Sequence, residues 1–222
     1  MEVGGEEGLR PSAGGAGESR ATRVACLDWA VSGRPLPGEA VSGDLAACIP
    51  VSDGALLAAI DGLGHGPKAA EAAEIARDTI AAHSSESLAS LLRLCHVGLA
   101  RTRGAAITLV RVECGAGMLQ WIGVGNVEAH LVRRTQGGHG SMTASAMLFG
   151  GAVGFRLPPR LHASSTELRP NDLVIMATDG LSGDYVPEVA TGQPVDRIAS
   201  TILGKHARAT DDALVAVARV RE

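Results

Sequence analysis

Short apolar runs broken by glycine, proline and aspartate continue from Ala21 to the end of the chain. The 222 residues include 29 glycines and 10 prolines, a share that favours many turns over a helix bundle. Two segments with helical spacing of apolar residues follow each other directly, and groups of strand-like runs lie on both sides of them. Because strands and helices do not alternate as they do in a parallel sheet, the order predicts a layered α+β sandwich.

The chain divides into a short tail and one domain. Residues 1–20 mix glycine, glutamate, serine and proline with almost nothing to bury, so they predict a disordered N-terminal tail. Residues 21–222 contain neither a second linker nor an internal repeat and predict a single domain. No apolar run reaches the roughly 18 residues that span a bilayer, and no apolar signal segment follows Met1. We therefore expect a cytoplasmic protein that does not enter a membrane.

Periodicity places the elements along the domain. Pro67 suits a first helical turn and Ser87 suits a helix cap, so helices are predicted near 67–82 and 87–99, with a third at 195–206. A polar, glycine-rich segment at 135–147 is predicted to be mobile. Strands are predicted at 24–31, 45–51, 55–60, 105–113, 118–124, 127–133, 161–167, 173–178 and 212–220.

Composition excludes several classes of partner. The formal net charge of −4 and the five aromatic residues provide neither the basic surface nor the stacking groups of a nucleic-acid-binding protein. The four cysteines are widely spaced among apolar neighbours, which predicts free, buried thiols in a reducing compartment, and the lack of a CxxC pair excludes a zinc knuckle. The helix at 87–99 has one apolar stripe, which the sheet needs, so we expect a monomer.

Acidic residues fall at the ends of predicted strands. Asp61 and Asp179 each end an apolar run and precede a glycine, whereas Asp44 and the pair Asp211 and Asp212 each open a strand. In an antiparallel sheet the end of one strand lies beside the start of its neighbour, so these carboxylates can meet at one edge. Such a cluster of like charges is unfavourable unless a cation neutralises it.

Oxygen donors of this kind suit Mg²⁺ or Mn²⁺, and glycine at position 62 would let a backbone carbonyl approach the ion. The competing interpretation is turn chemistry, because an Asp-Gly pair after an apolar run is most often a turn. We assign that role to Asp53 and Gly54. His65, alone in its loop, is expected to be a hydrogen-bonded loop residue more often than a ligand.

The motifs together resemble the SpoIIE-type branch of the bacterial type-2C metal-dependent protein phosphatases. The resemblance covers about 24–220 and rests on four segments in the family's order and spacing. They are Ser42-Gly43-Asp44, Asp61-Gly62-Leu63-Gly64-His65-Gly66, Thr178-Asp179-Gly180-Leu181 and Asp211-Asp212-Ala213. The resemblance implies a four-layer α-β-β-α sandwich, in which two antiparallel sheets are flanked by helices and hold a pair of Mn²⁺ or Mg²⁺ ions at one edge.

The resemblance also implies roles for individual residues. Asp61 would bridge both ions, and Asp61 and Asp179 would be the residues most needed for catalysis. The remaining ligands would be the Gly62 carbonyl, Asp44 and Asp211, with Asp212 as the less certain member of its pair. Ser42 and Thr178 would support the ligands, Arg34 is the candidate for binding phosphate, and His65 is the nearest titratable candidate for the general acid.

The implied reaction is hydrolysis of phosphoserine or phosphothreonine by water that the ions activate. The implied partner is a phosphorylated regulator protein of a stressosome or anti-sigma pathway. Two alternatives stay open. One is a catalytically silent relative that binds the phosphorylated partner as a scaffold, and the other is a two-metal hydrolase acting on nucleotides or nucleic acid.

Overall fold

The computed structural model of the chain describes residues 21–222, and the predicted tail at 1–20 lies outside the described residues. The helices are α1 (Pro67–Ala82), α2 (Leu88–Gly98) and α3 (Val195–His206), and Val186–Glu188 form one 3-10 turn. The first six strands are β1 (Thr22–Val24), β2 (Leu27–Arg34), β3 (Asp44–Val51), β4 (Gly54–Gly62), β5 (Ala105–Glu113) and β6 (Met118–Val124). The other six are β7 (Glu128–Arg134), β8 (Gly140–Ser145), β9 (Leu148–Phe149), β10 (Ser164–Glu167), β11 (Leu173–Ala177) and β12 (Ala213–Val220).

The strands form two sheets, and all pairs are antiparallel except a short parallel contact of β9 with β6. One sheet has the order β1-β2-β12-β11-β7-β8, and the other has the order β10-β6-β5-β4-β3. Helices α1 and α2 cover the outer face of the second sheet, and α3 covers that of the first. The predicted four-layer α-β-β-α sandwich is confirmed.

Three apolar layers hold the sandwich together. The layer between the two sheets contains both tryptophans, Trp29 and Trp121, and large side chains of β4 and β11 such as Leu57 and Met176. Alternation along each strand sends one set of side chains into this layer and the other set toward the helices. Each sheet is therefore buried on both faces, which explains why its central strands are almost continuously apolar.

The helices form where the sequence predicts them. Helix α1 begins at Pro67, directly after Gly66, and buries Ala69, Ala72, Ala73, Ala76 and Ile80. Its small face allows a close approach to the sheet, since a Cβ atom on Gly62 would lie 2.1 Å from the Ala69 carbonyl oxygen. The Ser87 side chain accepts a hydrogen bond of 3.2 Å from the Ser90 N–H at the start of α2. We find that α3 matches its predicted bounds.

Two predicted segments are wrong. The predicted strand at 24–31 is a hairpin of β1 and β2, which turns at Ala25, where φ is +52°. The segment at 135–147, predicted to be mobile, contains β8, which pairs with β7 at the edge of the first sheet. Ser141, Thr143 and Ser145 alternate with Met142 and Ala144, but most of these side chains are small and exposed and the segment before them is glycine-rich, so the strand pattern is weak.

The cysteine prediction is also wrong for one pair. Cys26 and Cys114 are joined in a disulfide between the β1–β2 turn and the β5–β6 turn, at a sequence separation of 88 residues. Only the packing of the two sheets brings these turns together, so spacing along the chain carries no sign of it. Cys48 and Cys95 are free, as predicted. Within residues 21–222, no helix has the length and apolar character needed to cross a membrane.

Candidate metal centre

The acidic strand ends meet at one edge of the sandwich. Asp44 at the start of β3 lies directly opposite Asp61 near the end of β4. The end of β11 and the start of β12 adjoin in the facing sheet, where Ala177 pairs with Val215. Asp179, two residues after Ala177, lies close enough to Asp61 to act on its charge. The structure therefore brings the predicted carboxylates together, as the antiparallel pairing requires.

Asp44 is buried. Its side chain accepts a hydrogen bond of 2.7 Å from the Thr178 hydroxyl, which in turn accepts one of 2.9 Å from the Leu214 N–H. Burial, followed by the nearby charge of Asp61, raises the pKa of Asp44 well above its usual value, and the hydroxyl only partly offsets this. Thr178 thus joins the two sheets through a ligand candidate, which agrees with the supporting role predicted for it.

Asp61, opposite Asp44, has a raised pKa for the same kinds of reason. Burial, together with the nearby charges of Asp179, Asp211 and Asp212, raises the pKa of Asp61 to about 7. The same causes, burial and Asp211, raise the pKa of Asp179, although Arg208 and a hydrogen bond of 2.6 Å from the Asn126 side chain act in the opposite direction. A group whose carboxylate form is disfavoured in this way gains most from a cation.

The two adjacent acids at the start of β12 have different surroundings. Both oxygens of Asp212 accept backbone hydrogen bonds, one of 2.6 Å from the Leu36 N–H and one of 2.7 Å from the Gly43 N–H. Asp211 is only half-buried, and one of its oxygens accepts the Asp212 N–H at 2.9 Å. Asp212 therefore positions the chain that leads into Asp44, and Asp211 keeps an oxygen available for an ion.

Glycines allow the backbone to crowd this edge. Gly62 lies against Ala69, and its N–H donates a hydrogen bond of 3.1 Å to the Gly43 carbonyl. A Cβ atom on Gly180 would lie 1.7 Å from the Asp212 carbonyl oxygen, so only glycine fits after Asp179. The Ser42 side chain accepts a hydrogen bond of 3.1 Å from the Asp44 N–H at the start of β3.

His65 lies on the rim of the edge. Its Nδ1 lies 2.6 Å from a carboxylate oxygen of Glu39, and about half of its side chain is exposed. Gly64 and Gly66, at φ of +89° and +73°, shape the loop that carries it. No motif in the sequence singles out Glu39. His65 is thus a hydrogen-bonded loop residue, as the sequence favoured, and Glu39 orients its ring beside the acidic strand ends.

Arg34, the candidate for binding phosphate, is half-buried at the end of β2 and donates hydrogen bonds to the backbone carbonyls of Pro35 and Arg208. Arg208 donates a hydrogen bond of 3.2 Å to the Asp179 carbonyl. Sequence reasoning missed Arg208 and the role of Asn126. Position along the chain was the only signal available, because Arg208 precedes Asp211 by three residues and Asn126 occupies the turn between β6 and β7.

The donor set fits a hard divalent cation. Asp44 and Asp61, two carboxyls with raised pKa values, lie opposite each other at the strand end where Gly62 follows Asp61, and oxygen donors of this kind suit hard cations. Within residues 21–222, no three His, Cys, Asp or Glu side chains stand close enough to hold one ion by themselves. An ion at this edge would complete its coordination with the Gly62 carbonyl and water, which is how Mg²⁺ is commonly bound.

The fold and this edge define a class of protein. Residues 52–221 match the family of stage II sporulation protein E (SpoIIE), and the chain belongs to that family. The predicted resemblance to the SpoIIE-type branch is confirmed, and so is the predicted class of enzyme, a type-2C protein serine/threonine phosphatase.

Individual relatives agree with the family. The chain is 24% identical over 170 residues to the phosphoserine phosphatase RsbX of Bacillus subtilis (strain 168), covering 74% of this chain and 80% of RsbX. A crystal structure of RsbX with magnesium superimposes with a TM-score of 0.78 at 20% identity, covering 91% of this chain and 99% of that one. A structure from the bacterial stressosome, described as a modular system adapted to control secondary messenger signalling, has a TM-score of 0.79 and 30% identity, covering 87% and 99%.

Proposed function

We propose that the chain hydrolyses phosphoserine or phosphothreonine on a signalling regulator protein, of the stressosome or anti-sigma type, in the cytoplasm. One observation supports this most. Asp44 and Asp61 lie opposite each other at a buried strand edge, where burial and further acids raise the pKa of Asp61 to about 7. A protein gains nothing from concentrating carboxylates at a site for an anionic substrate unless cations neutralise them. The family, the relative RsbX and the magnesium in the RsbX structure agree with this proposal.

Two Mn²⁺ or Mg²⁺ ions would be held by Asp44, Asp61, Asp179, Asp211 and the Gly62 carbonyl. When bound, such ions lower the pKa of a bound water and neutralise charge on phosphoryl oxygens. The other side chains of the site would position the ligands. Thr178 and Ser42 hold Asp44, and Asn126 holds Asp179. Arg208 holds the backbone that carries Asp179.

Two further side chains would act at the rim. Arg34 would have to release its backbone acceptors to reach a phosphoryl group, and its place at the end of β2 puts it beside the start of β12. His65, oriented by Glu39, could deliver a proton to the leaving serine oxygen. The acidic chain and the few aromatic residues give no support to a nucleic-acid substrate.

The test compares wild type, Asp61→Asn and Asp53→Asn on p-nitrophenyl phosphate, a phosphoserine peptide and a nucleotide. Each protein is treated with EDTA and then given Mn²⁺ or Mg²⁺. We expect metal-dependent hydrolysis of the two phosphate esters that Asp61→Asn loses and Asp53→Asn keeps, because Asp53 is an exposed turn residue far from the edge. Metal binding without turnover would favour the scaffold alternative. Preferred turnover of the nucleotide would contradict a protein substrate.

A further inference from the structure

The turn at 152–156 lies directly beside the metal edge. The Ala105 N–H donates a hydrogen bond of 2.9 Å to the Val153 carbonyl, and the Val153 N–H donates one of 2.8 Å back. Ala105 is the strand partner of Gly62, whose carbonyl is a ligand candidate. The turn therefore stands one strand away from the site where a phosphoryl group would bind.

This turn is held firmly. Ala152 and Arg156 exchange backbone hydrogen bonds of 2.8 and 3.0 Å, and the Gly154 N–H donates one of 2.9 Å to Nδ1 of His96 on α2. Phe155 sits at the tip with 82% of its surface exposed. An anchored turn that presents a phenylalanine to solvent keeps an apolar contact surface in place.

Other apolar side chains surround Phe155. The exposed large apolar residues of the described chain number six, and three of them lie around this turn, namely Phe155, Val97 at 75% and Leu63 at 37%. Leu63 directly follows Gly62, and its N–H donates a hydrogen bond of 3.0 Å to the carbonyl of Gly104. Gly104 in turn lies against the turn, since a Cβ atom on Gly154 would be 3.1 Å from the Gly104 Cα atom, so Leu63 and the turn adjoin the same glycine.

Basic side chains lie on the same surface. Arg103 and Arg156 are exposed, and within residues 21–222 no carboxylate lies within ion-pair distance of either. The Arg103 guanidinium lies over the loop after Leu63, since a Cβ atom on Gly64 would be 2.6 Å from its Nη1. The stretches of chain that carry Arg103, at 87–112, and Phe155 and Arg156, at 146–166, contain no Asp or Glu, although the chain carries a net charge of −4.

We propose that Leu63, Arg103, Phe155 and Arg156, here called the rim patch, dock the polypeptide that flanks the phosphoserine of the substrate, and that this flank carries acidic residues and one large apolar residue. The inference rests on the proposed function and adds the class of substrate. Because an extended peptide advances about 3.4 Å per residue, the rim patch reaches side chains about two to four residues from the phosphoserine.

Charge gives a reason for the arrangement. A phosphorylated, acidic partner is repelled by an acidic enzyme and by the carboxylates of its site, and a local basic surface guides the partner to the edge. Small esters such as p-nitrophenyl phosphate are too short to touch the rim patch. The two kinds of substrate therefore separate docking from chemistry.

The experiment measures kcat/KM with Mn²⁺ for two phosphoserine peptides and for p-nitrophenyl phosphate. One peptide has Asp, Glu and Leu on both sides of the phosphoserine, and the other has Lys and Ser at those positions. We expect wild type to prefer the acidic peptide by roughly 10-fold at low salt, and we expect the preference to shrink as salt is added. Arg103→Glu and Arg156→Glu should each lower kcat/KM for the acidic peptide by roughly 3- to 10-fold through KM, and Phe155→Ala should do the same.

Matched controls lie on the opposite layer of the sandwich. Arg197→Glu on α3 reverses an exposed arginine, and Met142→Ala on β8 truncates an exposed apolar side chain, so both should leave all three substrates unchanged. The rim variants should hydrolyse p-nitrophenyl phosphate within about two-fold of wild type.

Three results would overturn the inference. Equal turnover of both peptides by wild type would refute the rim patch and leave the phosphatase proposal standing. Failure of wild type on every phosphopeptide, with p-nitrophenyl phosphate still hydrolysed, would refute the protein substrate and the rim patch with it. A dimer in sedimentation that Phe155→Ala converts to a monomer would assign the patch to contact between copies of this chain.

Discussion

Replacing Asp212 with alanine tests whether the two adjacent acids at the start of β12 have separate roles. The Asp212 carboxylate is buried and accepts hydrogen bonds from the Leu36 and Gly43 N–H groups at 2.6 and 2.7 Å. Alanine would leave both donors inside the protein with no partner. We therefore expect Asp212→Ala to destabilise the fold even when no metal is present.

The size of the effect follows from those two contacts. A hydrogen bond to a charged group contributes about 1.5 to 3 kcal/mol, so losing two costs about 3 to 6 kcal/mol. Removing the charge also relieves the repulsion of Asp61 and Asp44, which offsets part of that loss. We expect the free energy of unfolding to fall by about 3 kcal/mol, a large part of the usual 5 to 15 kcal/mol.

Asp211→Asn is the matched variant, because asparagine keeps an oxygen to accept the Asp212 N–H. Its charge raises the pKa of Asp44, Asp61 and Asp179, so its removal should leave the metal-free protein at least as stable as wild type. Metal affinity should nevertheless fall.

The assay is urea unfolding in EDTA, followed by the fluorescence of the buried tryptophans Trp29 and Trp121. Titration of the folded proteins with Mn²⁺ then measures affinity. Equal stability of Asp212→Ala and wild type in EDTA, or a loss of stability in Asp211→Asn as large as in Asp212→Ala, would show that the assigned roles are wrong.

Three further predictions concern pH, the disulfide and a glycine. The pKa of Asp61 is raised from 3.8 to about 7, so the folded metal-free protein holds a proton there that the unfolded chain loses. This group alone should lower the free energy of unfolding on the order of 4 kcal/mol from pH 4 to 7 in EDTA. Asp61→Asn should therefore show a smaller slope, and the raised pKa values of Asp44 and Asp179 account for the slope that remains. Reducing the Cys26–Cys114 disulfide should lower the free energy of unfolding in urea by about 2 to 4 kcal/mol. Turnover of p-nitrophenyl phosphate should stay within about two-fold, because Cys114 follows the end of β5 that is opposite the one beside Gly62. In Gly180→Ala the added Cβ atom would lie 1.7 Å from the Asp212 carbonyl oxygen, so the free energy of unfolding should fall by about 3 kcal/mol in thermal or urea unfolding. Gly183→Ala is the control, because Gly183 has open space around it and its replacement should not lower stability.

Local chemistry explains what the sequence predicted well. Helix α1 and the strand pair β3 and β4 have strong periodicity and clear boundaries, with Pro67 at the start of the helix and Asp53-Gly54 at the turn. The meeting of Asp44 and Asp61 followed from antiparallel pairing alone. The prediction of four layers came from the family resemblance, because periodicity within strands does not specify how two sheets stack.

Contacts between distant segments explain the failures. The disulfide of Cys26 and Cys114 and the bond from Asn126 to Asp179 join residues 88 and 53 positions apart. The strand β8 failed for another reason, since its exposed face carries polar side chains and the pairing with β7 decides its conformation. Glu39 gave no signal either, because its contact with His65 exists only after the two loops come together.

The edge shows how a fold can hold several acids close together before any ion binds. Each carboxylate that orders the backbone has its own donors, since Asp212 takes two backbone N–H groups and Asp44 takes the Thr178 hydroxyl. Asp61 has no such donor among the hydrogen bonds of residues 21–222, and burial with three like charges raises its pKa to about 7. Asp44 is not fully compensated either, because its pKa stays well above the usual value despite the Thr178 hydroxyl. A cation relieves free energy where compensation is missing, so we expect metal affinity and folding stability to be coupled at the facing pair Asp44 and Asp61.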